Sequence, residues 1–234
     1  MYKYILFILF ALNAYSQEKA SIRFFPSDCR DKSSPEAKYY RYAWWTKEVK
    51  IKNNSGYNET IVKKPGENLE VKNLEKGTYT IIFENMFSQL IEISFKVEEY
   101  KKYEVDLCTN IIDYSKEQFK PRINQLKKGE HFTINFTSQG CFHSDEKELT
   151  ISRKRKKYFL KYEGNLKQLS KKEIKLIEHF EIELLFAKDD YCTTSESYNI
   201  QFKDKNDFYL DGKCSWNGLY YLLKNLGISE DLDQ

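Results

Sequence analysis

The amino-acid sequence predicts an α+β protein with two domains. The N-terminal domain is predicted as an antiparallel β-sandwich. The C-terminal domain is predicted as an antiparallel sheet with two helices, in the order three strands, helix, two strands, helix. From Ala20 to Cys108 apolar residues alternate with period two in short runs, whereas helical spacing appears only in the second half. The predicted boundaries are 17–110 for the first domain, 111–129 for a linker and 130–234 for the second domain.

Residues 1–16 have the pattern of a signal peptide. Lys3 precedes an apolar run over residues 5–12, and Ala14 and Ser16 stand at the small-residue spacing that signal peptidase recognises. The run is too short to span a bilayer, and no later stretch is apolar enough for a membrane helix. We therefore expect cleavage before Gln17 and an exported protein, periplasmic or extracellular, without a transmembrane segment.

The charge balance argues against a nucleic-acid-binding protein. The chain has 38 lysine and arginine residues against 35 aspartate and glutamate residues, and removal of the leader takes away only Lys3. A dedicated nucleic-acid binder concentrates basic charge over a whole domain. Nucleic acid is therefore not expected among the partners.

Six alternating runs predict the strands of the first domain. They are bounded by the turn sequences NNSG, KPGEN and EKG, and six or seven half-buried strands of this kind are typical of a sandwich. The runs are SIRFF, EVKIK, NLEV, GTYTIIF, LIEISFKV and YEVDL.

One of these runs also resembles a known family. The sequence VKNLEKGTYTIIF at residues 71–83 is similar to the strand entry of prealbumin-like sandwiches, which include carboxypeptidase regulatory-like and collagen-adhesin B-type domains. The resemblance implies a stalk, a spacer or a binding module without an active site.

The second domain begins with three predicted strands and a capped helix. HFTINFTSQG is one strand, and ELTISRKRKKYFLKYEG forms a hairpin whose tip is the basic run 153–157. Ser170 and Glu173 have the spacing of a capping box. Ile174, Ile177, Phe180 and Leu184 follow at helical spacing, which predicts an amphipathic helix over residues 171–187.

A second hairpin and a last helix complete the prediction. SYNIQF and NDFYLDG flank a turn at residues 204–206, so residues whose numbers sum to about 410 should face each other. Ser215 is the expected N-cap of the last helix, and Gly227 ends it. The residues expected on its buried face are Trp216, Leu219, Tyr220, Leu223 and Leu226.

Three short motifs in this half resemble a C-terminal module of exported proteins from Gram-negative bacteria. They are Ser138-Gln-Gly140-Cys141-Phe-His143, Cys192-Thr-Thr194 and Asp211-Gly212-Lys-Cys214-Ser-Trp216-Asn-Gly218. The resemblance covers most of residues 117–227 and supports a domain boundary. It implies no activity.

Cysteines in an exported protein are expected to be paired. Cys192 and Cys214 flank the second hairpin, where a disulfide would close a loop of about 20 residues and contribute about 3 kcal/mol. Cys29 and Cys108 flank the first and last strands of the sandwich and are expected to form another. Cys141 is left over, and its pairing with Cys192 or Cys214 is an open alternative.

Two chemical alternatives concern Cys214. At a helix start, this thiol with a histidine would suit a small envelope thiol hydrolase, although all three histidines precede it in the chain. Cys141, His143, Cys192 and Cys214 together would form a tetrahedral zinc set, but their spacing is not a known zinc pattern.

Two surface features predict binding. The segment YYRYAWW places Tyr39, Tyr40, Arg41, Trp44 and Trp45 together, and exposed rings of this kind bind sugars or protein partners. The alternative is that these rings are buried. Arg153, Lys154 and Arg155 at the basic hairpin tip would attract an anionic surface such as lipid head groups or acidic glycans, and the alternative is a solvated hairpin without a ligand.

The sequence lacks the glycine-rich phosphate loop, the dinucleotide fingerprint and the HExxH and GxSxG motifs. We therefore expect a non-enzymatic binding or structural protein of the cell envelope, without a cofactor, whose partner is an envelope protein or a glycan. The alternatives are the thiol hydrolase that uses Cys214 and a carbohydrate-binding module that uses residues 39–45.

Overall fold

The chain forms two compact units, and the boundary between them lies after Ile111. The computed structural model describes residues 19–29, 48–63, 68–188, 193–212 and 216–228. Most of these residues are in β-strands, with three helices. Within the same ranges, no helix is long and apolar enough to cross a lipid bilayer.

The first unit contains two sheets that contribute to one core. Its described strands are β1 (Ala20–Ser27), β2 (Glu48–Asn53), β3 (Asn58–Val62), β4 (Leu69–Leu74), β5 (Gly77–Glu84), β6 (Leu90–Val97) and β7 (Lys102–Cys108). One sheet has the order β4-β1-β7 and the other the order β3-β2-β5-β6. Six strands contain the predicted alternating runs, and β3 is the seventh. Side chains from both sheets meet in a single hydrophobic cluster.

Period-two alternation explains how a strand contributes to this core. In β5 the side chains of Tyr79, Ile81 and Phe83 are buried, while Thr80 and Ile82 between them are more exposed. The hydroxyl of Tyr79 donates to the carbonyl oxygen of Glu75 at 2.9 Å, so this buried phenol keeps a hydrogen-bond partner.

The pairing of β1 with β7 differs from the prediction. All strands were expected to be antiparallel, but Ser21 to Ser27 pair in parallel with Lys102 to Cys108. Parallel strands need a long connection, and here five other strands lie between β1 and β7 along the chain. Alternation specifies which face of a strand is buried but carries no information on strand direction. The sequence pattern therefore could not indicate that β1 and β7 are parallel.

The predicted disulfide Cys29–Cys108 is present at the end of this parallel pair. Its Cα atoms are 5.2 Å apart, and the bond closes a sequence separation of 79 residues. The backbone N–H of Cys29 also donates to Asn110 Oδ1 at 2.8 Å. Structural disulfides persist in oxidising compartments, so this bond is consistent with a location outside the cytoplasm.

Cys141 is free and exposed in the described part of the chain.

Cys192 and Cys214 lie outside the described residues, so their bond stays a prediction. Glu196 and Asp211 face each other in the hairpin that lies between these two cysteines in the sequence. Facing residues there sum to 407 rather than 410, because the turn occupies residues 203–204. Cys192 and Cys214 sum to 406, close to this register.

Alkylation of the denatured, unreduced protein measures this pairing. Protein purified from an oxidising compartment is expected to gain one iodoacetamide-derived group, on Cys141, because Cys29 and Cys108 are paired and Cys192 and Cys214 are predicted to be. The Cys141→Ser variant is the control and should gain none. Intact mass spectrometry gives the number directly, and three groups on the wild-type protein would mean that Cys192 and Cys214 are not joined.

The second unit is built on one antiparallel six-stranded sheet with three helices. Its strands are β8 (His131–Gln139), β9 (Ser144–Lys154), β10 (Lys157–Tyr162), β11 (Asn165–Leu169), β12 (Ser195–Phe202) and β13 (Lys205–Asp211). Its helices are α1 (Arg122–Gln125), α2 (Lys171–Leu184) and α3 (Gly218–Asn225). The strand order is β11-β10-β9-β8-β12-β13.

Four strands precede α2, not the three that were predicted. The additional strand is β11, which pairs with β10 after a tight turn at Glu163 and Gly164. Its sequence NLKQL has only two apolar residues, too few to show alternation. Pairing with β10 and burial of Leu169 therefore determine a strand that the sequence pattern does not signal.

The capping box of α2 is present as predicted. The backbone N–H of Glu173 donates to Ser170 Oγ at 3.3 Å, and Glu173 Oε2 accepts from the backbone N–H of Ser170 at 2.7 Å. The buried face of the helix includes Ile177, Phe180 and Leu184. The helix ends three residues before the predicted end.

Helix α3 begins at Gly218, with Asn217 at the N-cap in a left-handed conformation. Ser215, the predicted N-cap, lies outside the described residues. Trp216, Leu219, Leu223 and Leu226 are buried as predicted, but Leu222 is buried and Tyr220 is 38% exposed. The prediction placed Tyr220 on the buried face from its helical spacing, whereas Leu222 lies on that face instead.

The short helix α1 joins the sheet through buried charges. Glu181 of α2 accepts the backbone N–H groups of Arg122 and Ile123 at 2.6 and 3.0 Å. The guanidinium of Arg122 also contacts this carboxylate at 3.3 Å, and it donates to Asp207 and, at 2.9 Å, to Tyr209 of β13. Burial raises the pKa of Glu181, opposed by these hydrogen bonds and by the charge of Arg122. Part of the predicted linker 111–129 is thus anchored in the second unit.

Candidate functional site

The three sequence motifs of the second unit meet at one end of the six-stranded sheet. In strand β8, Gln139 faces Ser144 of β9 on one side and Ser195 of β12 on the other. Glu196 of β12 faces Asp211 of β13. The motif residues that the structure describes therefore lie at or next to neighbouring strand ends, which we call the motif end.

The turn between β8 and β9 is held by its own motif residues. The backbone N–H of Gly140 donates to the carbonyl oxygen of His143 at 3.0 Å, and Ser138 Oγ lies 3.2 Å from His143 Nε2. A Cβ on Gly140 would come within 2.5 Å of the exposed His143 ring, so a larger residue there would require this ring to move. The turn leaves Cys141 exposed and the Phe142 ring fully exposed.

The last motif is held by the buried indole of Trp216. Its Nε1–H donates to Glu183 Oε2 at 2.7 Å, and its ring stacks on Phe180 with centroids 5.7 Å apart. The other oxygen of Glu183 lies 3.1 Å from His179 Nδ1. A Cβ on Gly218 would come within 2.2 Å of the indole ring. These contacts give the tryptophan and glycine of the motif a packing role.

A row of polar residues crosses the sheet at the motif end. Asp145, Ser138, Glu196 and Asp211 face one another on the adjacent strands β9, β8, β12 and β13, so their side chains share one face. Tyr198 donates its hydroxyl to Glu196 Oε2 at 2.6 Å. Burial raises the pKa of Glu196, and the Tyr198 hydrogen bond and the charges of Lys147 and His143 oppose this shift.

The described part of the motif end offers no metal centre. Across the described ranges, no group of three or more His, Cys, Asp or Glu side chains is placed to hold a metal ion. Cys141 and His143 are both exposed, and the other two members of the predicted zinc set, Cys192 and Cys214, lie outside these ranges. The zinc interpretation has no structural support among the described residues.

The opposite end of the same sheet is strongly basic. Three connections meet there: the loop that leads into β8, the β9–β10 turn and the β12–β13 turn. Two basic residues lie in the first, five in or next to the second and two in or next to the third, against the acidic Glu130 and Asp204. We call this surface the basic end. Its members are Lys127, Lys128, Arg153, Lys154, Arg155, Lys156, Lys157, Lys203 and Lys205.

Arg153, one of the three predicted binding residues at the tip, holds the basic end together. Its Nη1 donates to the carbonyl oxygen of Leu126 at 2.7 Å, and its guanidinium lies 5.3 Å from the centre of the Tyr158 ring. Its backbone N–H donates to Glu130 O at 3.0 Å, and its carbonyl oxygen accepts the N–H of Gly129 at 2.8 Å. These contacts join the loop before β8 to the β9–β10 hairpin.

Glu130 links the same loop to the third connection. Its Oε2 accepts the backbone N–H of Lys127 at 2.7 Å, and its Oε1 lies 3.5 Å from Lys203 Nζ. The hydrogen bond from Lys127, followed by the charge of Lys203, lowers the pKa of this carboxyl. A negative charge is therefore retained between the loop and the β12–β13 turn and brings the two segments together.

The basic end contains features that disfavour a stable hairpin. Lys154 and Lys157 face each other across β9 and β10, and like charges in that position repel. Arg155 and Lys203 each stand first in a two-residue turn with φ of 58° and 56°. Glycine and asparagine adopt this left-handed conformation with less strain than arginine or lysine. Such departures from local preference are expected at functional surfaces.

Comparison with known proteins does not assign the chain to a family. No protein-family model matches it, and no curated protein matches it. The resemblances to prealbumin-like sandwiches and to an exported Gram-negative module therefore stay predictions. The interpretation of both ends of the sheet depends on their geometry alone.

Sequence reasoning identified only part of the basic end. Arg153, Lys154 and Arg155 were predicted because they are consecutive in the sequence. Lys127, Lys128, Lys203 and Lys205 were missed because only the sheet brings their segments together. The sequences KKG and FKDK, next to predicted strand ends, were the available signal. The predicted aromatic site of Tyr39, Tyr40, Arg41, Trp44 and Trp45 lies outside the described residues.

The stability of the protein is expected to depend on pH through Glu196. Because its pKa is raised in the folded state, the contribution of its protonated form is present below the ordinary value of 4.5 and is lost as pH rises through the folded value. Glu196→Gln, which is neutral at every pH, should reduce the loss of stability between pH about 4.5 and neutrality. Urea unfolding at several pH values measures this difference.

The control for this experiment is Glu146→Gln, which removes an exposed carboxyl from the neighbouring strand β9. Equal pH dependence in the wild type and in Glu196→Gln would contradict a raised pKa of Glu196 in the folded state.

Replacement of Arg155 should separate the effect of backbone strain on the free energy of unfolding from the effect of surface charge. Arg155→Gly is expected to leave the free energy of unfolding unchanged or to raise it by about 1 kcal/mol. Relief of left-handed strain is partly offset by the larger entropy of glycine in the unfolded chain. Lys157→Gly, which removes the same charge from a strand, should lower that free energy by about 1 kcal/mol. Equal losses in the two variants, measured by urea unfolding, would show that Arg155 is not strained.

Proposed function

We propose that this protein is an exported, non-enzymatic binding protein of the cell envelope or its exterior, and that its second unit binds an anionic ligand at the basic end. The observation behind the proposal is that three connections at one end of a single sheet all present lysine or arginine side chains. A nearly neutral chain that concentrates cations in one place produces a local field that attracts anions.

The exported location is supported by two independent features. The leader pattern of residues 1–16 predicts secretion. The disulfide Cys29–Cys108 requires an environment in which cysteine pairs persist. The proposed compartment is the periplasm or the cell exterior.

We infer that the first unit is a β-sandwich of the prealbumin-like type that acts as a spacer or as a second binding module. Two sheets that share one hydrophobic cluster support this inference, as does the run at residues 71–83. The aromatic segment 39–45 remains the predicted carbohydrate-binding part of this unit.

The catalytic alternative has less support. The proposed nucleophile Cys214 lies outside the described residues. Of the histidines, His143 is held in a turn beside Ser138 and Gly140, and His179 lies beside the buried Glu183. Both imidazoles therefore contact polar groups of the second unit.

Retention on immobilised heparin tests the proposed function. Heparin here represents a dense anionic ligand, and the wild-type mature protein should be retained at physiological salt. Replacement of Lys127, Lys128, Lys156, Lys157, Lys203 and Lys205 by glutamine should abolish retention, because the cations that contact the anion are gone. Both proteins are compared by thermal unfolding to establish that they are folded.

The control must separate a localised surface from general charge. Lys161 and Lys175 are exposed lysines of the second unit outside the three connections. Their replacement by glutamine should leave the elution salt concentration close to that of the wild type, whereas Lys156→Gln with Lys157→Gln should lower it. If the two double variants elute alike, the basic end is not a binding surface.

A further inference from the structure

The cations of the basic end lie in a row rather than in a cluster. The β9–β10 turn, the loop into β8 and the β12–β13 turn follow one another along the sheet end, because their strands are neighbours in the order β10-β9-β8-β12-β13. Neighbouring strands are about 4.8 Å apart, so the two outer turns are separated by three strand spacings, or about 14 Å. The surface is therefore elongated along one direction.

Contacts with the fold restrict the positions of several of these cations. Lys154 Nζ lies 5.7 Å from the centre of the Phe159 ring, and Lys203 Nζ lies 4.7 Å from the centre of the Phe202 ring. Arg155 and Lys203 occupy left-handed turn positions, which fix the directions in which their side chains leave the backbone. A ligand with regularly spaced negative charges fits such a surface better than a single anion does.

Exposed apolar side chains are absent from the three connections. The large exposed hydrophobic residues of the described chain lie elsewhere, the nearest in sequence being Phe208 within β13. Peripheral membrane proteins commonly combine a basic patch with an inserted apolar group, because charge alone gives weak anchoring. The basic end has the charge without the apolar group.

We propose that the ligand of the basic end is a linear acidic polysaccharide that lies across all three connections. This inference rests on the proposed function, since it names the chemical class of the anion bound at the same surface. A chain of acidic sugars places its carboxylate, sulfate or phosphate groups along one line. The lysine and arginine side chains of the basic end are also arranged along one line. Each connection then binds a different segment of the same chain, which makes the interaction multivalent.

Heparin fragments of defined length test this arrangement. A disaccharide is shorter than the distance between the outer turns, and a hexasaccharide is longer. We expect the hexasaccharide to bind the wild-type mature protein at least about tenfold more tightly than the disaccharide, because it reaches a second and a third set of cations. Isothermal titration calorimetry at several salt concentrations gives both affinity and salt dependence.

Variants at the outer turns show whether the row acts as one site. Two double variants are made, Lys156→Gln with Lys157→Gln and Lys203→Gln with Lys205→Gln. Each should remove most of the increase in affinity from the disaccharide to the hexasaccharide. Each should also decrease the slope of log affinity against log salt by about one to two. Lys161→Gln with Lys175→Gln is the matched control and should retain the length dependence. Circular dichroism establishes that each variant is folded.

Two results would overturn the inference and leave the proposed function intact. The first is equal affinity for the disaccharide and the hexasaccharide, or loss of affinity in only one of the two outer-turn variants. The second is tighter binding to vesicles of phosphatidylglycerol and phosphatidylcholine than to the hexasaccharide, which would identify a membrane surface as the ligand. If neither heparin fragments nor these vesicles bind, the proposed function itself is wrong.

Discussion

The antiparallel register of the central strand β8 is the constraint on which the second unit depends. Strand β8 pairs with β9 on one side and with β12 on the other, and its side chains at Phe132, Ile134 and Phe136 are buried. A shift of one residue in either pairing would turn these side chains away from the core. A wrong register would therefore expose these apolar side chains to water at a large cost in free energy. The correct register also places every turn of the sheet at a defined end.

The helices pack against one face of this sheet through a small number of specific ring contacts and buried hydrogen bonds. Phe180 of α2 packs against both Tyr198 of β12 and the indole of Trp216. Glu181 and Glu183, on the same helix, are buried carboxylates that accept hydrogen bonds from α1 and from Trp216 respectively. Buried charges without partners are costly, so these pairs require α1 and the segment before α3 to stay in place. One helix thus orients two distant parts of the chain.

The sequence predicted features that depend on local patterns and missed those that depend on tertiary pairing. Alternation located the six strand runs of the first unit, and the spacing of Ser170 and Glu173 located the start of α2. The parallel direction of β1 and β7 was not accessible, because alternation is the same in both directions. Strand β11 was missed because its pairing partner, rather than its own composition, makes it a strand.

The same distinction applies to the candidate site. The consecutive cations of the β9–β10 tip were visible in the sequence, but their neighbours at residues 127–128 and 203–205 belong to the site only through the sheet. The motif residues were noticed as a pattern, but their roles were not predictable. Gly218 is required because the buried indole ring of Trp216 occupies the space where a side chain would stand.

The position of Cys29–Cys108 has a mechanical consequence for the first unit. Under tension applied at its two ends, force would pass along β1 to Cys29, across the sulfur–sulfur bond to Cys108, and onward along the chain. The 79-residue separation between the two cysteines is covalently bypassed, so strands β2 to β7 bear no load. At about 3.5 Å per residue, the bond withholds roughly 270 Å of chain from extension. The oxidised unit is thus a nearly inextensible tether, whereas the reduced unit would lengthen as its strands were pulled apart.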